Sequence, residues 1–339
     1  MSDAPILEVS GLRTEFTTPG GTVRAVRDVS FDVAPGERVG IVGESGSGKS
    51  AMALSILGLI DPPGRVVGGS VKLAGRELVG LSDRELQSVR GKEISLIYQD
   101  PTAALDPVKS IGHQLVESIR QHHRSMSRKA ARARAIELLA DVEVPQPERR
   151  LDDYPHQYSG GMRQRVMIAS ALANEPSLII ADEPTTALDV TTQAQVLELL
   201  NRLVSERNTA VILITHNLGI VAEFCDTVRV MYAGRLVEQA ETRPLFRAPA
   251  HPYSQALLSS VPRADRLHSG PLPAIGGAPP DLAALPTGCA FEPRCPLGHG
   301  RERCVAETPP NQPVAEGRTS ECHYAAEQLE RGAREVGAR

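Results

Sequence analysis

The stretch "ERVGIVGESGSGKSAMALSILGLI", residues 37–60, decides the fold. Its first seven residues read as a buried strand that runs into a glycine loop. The loop "GESGSGKS", residues 43–50, matches G-x-x-x-x-G-K-S, and it lies after a strand and before a helix, the context the motif requires. Gly43, Gly46 and Gly48 let the backbone curl so that its N–H groups face phosphate oxygens. Lys49 brings a point charge to the β- and γ-phosphates, and the Ser50 hydroxyl can ligate Mg²⁺. From residue 50 to residue 59 the pattern becomes helical.

Working outward, "SLIIAD" (177–182) and "AVILITH" (210–216) are continuous apolar runs of the kind found in central parallel strands. Asp182 ends the first run and is placed to hold Mg²⁺, and Glu183 follows at the strand end, where ligands gather in open α/β sheets. A carboxylate there can orient and deprotonate an attacking water. His216 ends the second run and could sense the γ-phosphate; a satisfied polar histidine is the alternative. Gln99, after the apolar "ISLIY", is equally ambiguous from its surroundings alone.

The remainder sorts into zones. Residues 6–42 alternate β-rich runs with turns at "TPGG" (18–21) and "APGE" (34–37), and "GSVKLAGREL" reads as a hairpin with Ala74 and Gly75 at its tip. Residues 100–161 are rich in Ala, Arg, His and Glu. Within them 127–142 fits an amphipathic helix with Ala133, Ile136, Leu139 and Ala140 on one face. After about residue 234 the chain is Pro-rich; "GPLPAIGGAPPDLAALPTG" (270–288) reads as a structured linker or turn-rich cap, and the charged end from about Glu327 as a loose helix.

The 339 residues carry a formal net charge of −4, so no basic field suggests a nucleic acid partner. Aromatics are 3% with no Trp, which leaves the core to Val, Ile, Leu and Ala. No apolar run approaches the roughly 18–20 residues of a membrane span. The N-terminus lacks a basic region followed by an apolar one, so the expectation is a cytosolic chain without a secretory signal. In a reducing compartment clustered cysteines are metal ligands more often than disulfides. Four of the five cysteines, Cys289, Cys295, Cys304 and Cys322, follow a C-x5-C-x8-C-x17-C spacing, while Cys225 stands alone as a small apolar residue. Four thiolates suit tetrahedral Zn²⁺ or an iron–sulfur cluster; the gaps exceed those of short zinc knuckles and fit a cubane held from several loops, with free or disulfide-bonded cysteines the remaining alternative. His299 and His323 are possible substitute ligands.

"YSGGMRQR" (158–165) resembles the signature of ATP-binding-cassette (ABC) ATPases and precedes "LIIADEP" at that family's spacing. "YPHQYSGGMRQRVMIASALA" (154–173), "YQDPTAALDP" (98–107) and "RAPAHPYSQALLSSVP" (247–262) look like the ATPase subunits of oligopeptide/dipeptide importers, and the resemblance covers residues 6 to about 325. It implies an α/β fold: an ABC-type P-loop NTPase core with an antiparallel β subdomain, a helical insert at about 100–161 and a small Cys-containing C-terminal extension. It implies domains at 1–240 and 241–330 and a tail at 331–339. It assigns nucleotide contacts along the loop from Gly43 through Glu44, Ser45, Gly46, Ser47, Gly48, Lys49 and Ser50 to Ala51, with Phe16 as the candidate adenine-stacking ring. Gln99, Ser50 and Asp182 become the Mg²⁺ side, Glu183 the base, His216 the switch histidine and "ALD" (187–189) the loop that crosses to a partner.

Ser159, Gly160 and Gly161 become an anion site at a helix start, which in the family faces the nucleotide of a second ATPase domain. Tyr158 and Met162 stand where the common signature has Leu and Gln. With one phosphate loop in the chain, the resemblance implies a second ABC ATPase subunit, two transmembrane permease subunits and an extracytoplasmic substrate-binding protein. The chain itself would be peripheral at the cytoplasmic face of the membrane. ATP and Mg²⁺ are the implied cofactors, and some members of this branch hold a [4Fe–4S] cluster in a similar cysteine motif. Nickel or oligosaccharide cargo, and a soluble non-transport ABC ATPase, are the competing readings.

Overall fold

The computed structural model describes residues 4–186, 188–260 and 275–337. The chain divides into two compact units: residues 1–7, 32–38 and 72–214 form the first, and residues 8–31, 39–71 and 215–339 the second. The start of the expected linker, residues 270–274, lies outside the described residues, as do Ala187 and residues 261–262.

The first unit is built on three parallel strands. Leu178–Asp182 lies between Ile94–Ile97 and Ala210–Ile214, in register at Ile97↔Ala181 and Ile180↔Ile212. Ile179, Ile180, Val211 and Ile212 are at most 1% exposed, so these runs are apolar throughout because both faces are covered. Helix Gly160–Leu172 packs on Ile94–Ile97 and against helices Arg128–Asp141 and Val190–Arg207. Each of these three helices starts on an oxygen side chain that accepts an otherwise orphaned backbone N–H: Ser127 from Ala130, Ser159 from Met162 and Asp189 from Thr192.

The helical insert contains Pro101–Ala104, Ile111–His122, Arg128–Asp141 and Pro147–Arg150. Helix Arg128–Asp141 corrects the expected face. It buries Ala131, Ala135, Leu138 and Leu139, whereas Ala133 and Ala140 are exposed and Ile136 is half-buried. A stripe at i, i+4, i+7 and i+8 fits the sequence as well as the one chosen from the apolar pattern, because alanine is too small to mark a face. The hairpin at Ala74–Gly75 is present, with Lys72↔Glu77 and Leu73↔Arg76 paired and positive φ at both tip residues.

In the second unit, strand Leu7–Thr18 lies between Gly21–Val33 and Gly64–Leu73. A separate run of strands starts at Arg38–Val42, which pairs in parallel with Thr227–Tyr232. Strand Arg235–Glu241 then adds antiparallel, followed by Arg318–Ser320 and Gln312–Ala315. The C-terminal region thus extends the same run of strands that carries the phosphate loop. Glu238, fully buried, ties it in: its carboxylate accepts the N–H groups of Ala250 and His251 and pairs with Arg318 at 2.7 Å. A buried carboxylate needs every one of these partners, since its desolvation cost is otherwise unmet.

Candidate functional site

In the second unit, strand Arg38–Val42 delivers the loop and helix Lys49–Ile56 leaves it. Gly48 caps that helix at φ 107°, and a Cβ there would drive into the carbonyl oxygen of Ala25, so only glycine fits. Among the described residues no side chain caps the helix, an arrangement suited to an anion at its N-terminus. Gly46, at φ 78°, has open space above it. Lys49 is buried, and its Nζ donates to the carbonyls of Gly43 (2.9 Å) and Glu44 (3.0 Å), closing the loop on itself. Ser45 and Ser50 are exposed, Ala51 is half-buried and Ser47 is buried.

His216 is exposed in a tight turn of the same unit. The Thr215 N–H donates to the carbonyl of Ile41 in the strand feeding the loop, and Thr215 Oγ1 accepts from Asn217 N–H. Asn217 in turn caps helix Leu218–Phe224. These contacts hold the backbone on both sides of the imidazole. Phe16 is half-buried, and a Cβ on Gly64 would strike its ring and Ile60, so that ring packs on the strand beginning at Gly64.

In the first unit, Asp182 is the last residue of its strand and pairs with Ile214. Glu183 follows with φ 46°, left-handed for a residue with a Cβ, a backbone state held by its N–H bond to Ile214 O (2.8 Å). Its Oε2 accepts from Gln99 Nε2 at 3.1 Å and from Thr186 Oγ1 at 2.9 Å. Gln99 and Glu183 are thus brought together from 84 residues apart. Thr186 was not singled out in the sequence; its only signal is a hydroxyl three residues after the acid. Asp189 caps helix Val190–Arg207, and hydrogen bonds from Thr192 hold its carboxyl below the usual range. Leu188 and Asp189 of the crossing loop are described; Ala187 is not.

Ser159, Gly160 and Met162 lie at the start of helix Gly160–Leu172, with Ser159 and Gly160 exposed. A Cβ on Gly161 would hit the Thr192 methyl, so this glycine is required for packing, whereas a Cβ on Gly160 would make only an ordinary contact with the Leu188 side chain. Tyr158, in the place of the common Leu, is 2% exposed and donates its hydroxyl to Arg150 O at 2.7 Å. Its ring fills an apolar site and its hydroxyl is satisfied, so the substitution keeps the helix start in place; burial pushes that hydroxyl up to about 12.

The cysteines converge. Cys289, Cys295, Cys304 and Cys322 line one small cavity with Phe291 and Gly298. A Cβ on Gly298 would touch the sulfurs of Cys295 and Cys304. Burial raises all four thiols, Cys289 and Cys322 to about 12. Even so, among the described residues no three His, Cys, Asp or Glu side chains are disposed to hold a metal ion, so the expected cluster finds no support there beyond the convergence itself. His323 lines the cavity, with Nε2 3.0 Å from Glu307 O, while His299 is exposed beside Glu292. Cys225 is buried against Gly40, as expected of a small apolar residue.

A phosphate loop in one unit, and a strand-end Asp–Glu pair with a Ser–Gly–Gly helix start in the other, define an ATPase of the ABC class. The family model for ABC transporters matches residues 26–186, and that for the oligopeptide/dipeptide transporter C-terminal region matches residues 237–304. The oligopeptide transport ATP-binding protein OppD of Salmonella typhimurium is 49% identical over 324 residues, 96% of this chain and 95% of that one. A putative peptide import ATP-binding protein of Brucella melitensis is 49% identical over 95% of this chain and 96% of its own length. A post-hydrolysis ABC cassette dimer bound to ADP and phosphate superposes with TM-score 0.63 at 30% identity, covering 70% of this chain and 99% of that one. The chain belongs to the family of ATP-binding subunits of oligopeptide/dipeptide ABC transporters. It is an ATPase that uses ATP with Mg²⁺ and works paired with another ATPase domain on membrane permease subunits. Among the described residues no helix is long and apolar enough to cross a membrane.

Proposed function

We propose that this chain hydrolyses ATP to drive uptake of di- or oligopeptides captured by an extracytoplasmic binding protein, from a peripheral position at the cytoplasmic face of the membrane. The match of its C-terminal region to that of oligopeptide/dipeptide transporters, on top of near-half identity along the whole chain, carries the cargo class. The working division is a cassette at 1–240, an extension at 241–330 and a tail at 331–339.

The loop from Gly43 to Ala51 takes the phosphates on its N–H groups and on Lys49, and Phe16 is the candidate for the adenine face. Ser50, Asp182 and Gln99 offer hard oxygen donors, a set that suits Mg²⁺, which when bound neutralises charge on the β- and γ-phosphates. Glu183 takes a proton from water as its oxygen attacks the γ-phosphorus; the bond to the β-bridging oxygen breaks and ADP leaves with that electron pair. Gln99 and Thr186 aim the Glu183 carboxylate. His216 faces the γ-phosphate as a switch. Ser159, Gly160 and Gly161 serve the nucleotide held by the partner ATPase, and the 187–189 loop crosses to it. A different but related chain is the expected partner.

In the assembled transporter, peptide-loaded binding protein stimulates hydrolysis, and Glu183→Gln lowers turnover by about 10²–10⁴ while ATP still binds. Stimulation by nickel- or oligosaccharide-loaded binding protein instead, or hydrolysis indifferent to any membrane partner, overturns the cargo or the transport reading respectively.

The four tail cysteines are the proposed ligands of a [4Fe–4S] cluster, with Zn²⁺ the alternative. Their support is the shared cavity, and the group would act as a staple for a region poor in large apolar residues. Iron near four per chain, with visible absorbance in anaerobically purified protein, is the expected result; stoichiometric zinc, or neither metal, rejects the cluster.

A further inference from the structure

Glu44 stands one residue into a loop that must accept a triphosphate, where an uncompensated carboxylate repels the ligand. Within the second unit it is gripped twice by the C-terminal region. Arg294, 250 residues away and next to Cys295, forms a two-pronged pair with it: Nη1 donates to Oε2 at 2.8 Å and Nη2 to Oε1 at 2.9 Å. The Arg294 side chain is 4% exposed. Its remaining donors are used as well, Nε on Gly276 O at 2.8 Å, Nη2 on Ile275 O and Nη1 on the Tyr232 hydroxyl at 3.2 Å. From the other side, the Glu44 backbone N–H donates to the hydroxyl of the fully buried Tyr253 at 2.8 Å. Tyr253 is locked by Tyr232 and Phe291, with ring centroids 4.4 and 5.4 Å away.

We infer that the cysteine-bearing extension positions the nucleotide loop, with Arg294 and Tyr253 as positioning residues acting through Glu44. Arg294 neutralises the carboxylate and fixes the side chain, and Tyr253 fixes the backbone of the same residue. The loop therefore enters ATP binding already ordered, and part of the entropic cost of ordering it is met in advance. The inference rests on reading residues 43–50 as the nucleotide loop.

The test is calorimetric titration of the full chain with Mg·ATP, alongside KM and kcat in the assembled transporter. Lys49→Ala checks the underlying reading: it loses ATP binding, and if it binds as wild type the loop assignment itself fails. Arg294→Ala weakens ATP binding by about tenfold and raises KM while kcat at saturation is kept. Removing the carboxylate too, in Glu44→Ala with Arg294→Ala, returns affinity to within about threefold of wild type, because no bare charge then faces the phosphates. Wild-type affinity in Arg294→Ala, or no recovery in the double variant, overturns the proposal; a merely structural role lowers the melting temperature without moving KM. If Arg294→Ala does not fold, Tyr253→Phe asks the same of the backbone grip: an affinity loss of about threefold to fivefold supports the proposal and unchanged affinity overturns it.

Discussion

Two glycine-bearing helix starts in this chain have opposite construction. At the phosphate loop, Lys49 is buried on two loop carbonyls, Gly48 is wedged against Ala25, and Tyr253 and Arg294 hold Glu44. At the signature, Ser159 and Gly160 are exposed, and the Ser159 hydroxyl caps the helix by accepting from Met162 N–H. The first is built from many parts of its own unit and is finished. The second is an exposed, Ser-capped helix start, supported by the Tyr158 hydroxyl bond to Arg150 O and by the tight fit of Gly161 on Thr192. An exposed helix start with its backing secured is consistent with the proposed use of the signature by a partner's nucleotide, since a phosphate has to reach backbone N–H groups there.

That contrast breaks most sharply in a crossed pair of variants. Lys49→Ala abolishes ATP binding by the isolated chain, a loss of at least about a hundredfold, whereas Gly160→Glu leaves that binding at wild-type strength. In the assembled transporter Gly160→Glu then lowers turnover by about 10²–10³ if, as proposed, the signature serves the partner's nucleotide, since a carboxylate repels a phosphate. Normal turnover by Gly160→Glu, or lost ATP binding in the isolated variant, erases the distinction between the two helix starts.

A smaller effect sharpens the account of the finished site. His251 caps the helix that carries Tyr253, accepting the Tyr253 N–H at 3.0 Å, and burial lowers its imidazole to about 3. The folded state thus binds fewer protons than the unfolded one between that value and the ordinary pKa of about 6.5, so stability falls as pH falls through this window. Between pH 6.5 and 5 the loss from this group is on the order of 1–2 kcal/mol. Thermal melts of His251→Asn, which keeps a capping acceptor, should decline less over the same range than those of the wild type. Parallel curves would mean that His251 is not the group responsible.

Much of the candidate site is legible in the sequence because its chemistry is local. Eight consecutive residues carry the phosphate loop, a strand end and the next residue carry Asp182 and Glu183, and Ser159, Gly160 and Gly161 carry the signature. At the phosphate loop and the signature the backbone conformation follows from glycine placement or an N-cap within a few positions, whereas the left-handed Glu183 is held by its bond to the distant Ile214. The buried face of helix Arg128–Asp141 is not legible for the opposite reason, since five of its residues are alanine and either stripe satisfies the period. Gln99 is ambiguous from its surroundings alone and gains a role only through the resemblance; its amide bond to Glu183 comes from the fold, and Thr186 gives almost no signal.

By itself the sequence determined the ATPase chemistry, the family and the grouping of four cysteines, because each is written in side-chain type and short-range spacing. Tertiary structure alone decided that Arg294 and Tyr253, distant in the chain, close on Glu44, and that the C-terminal strands continue the run bearing the phosphate loop. Charge pairing and strand addition across such separations depend on which surfaces the folded core brings together, and no local pattern encodes that.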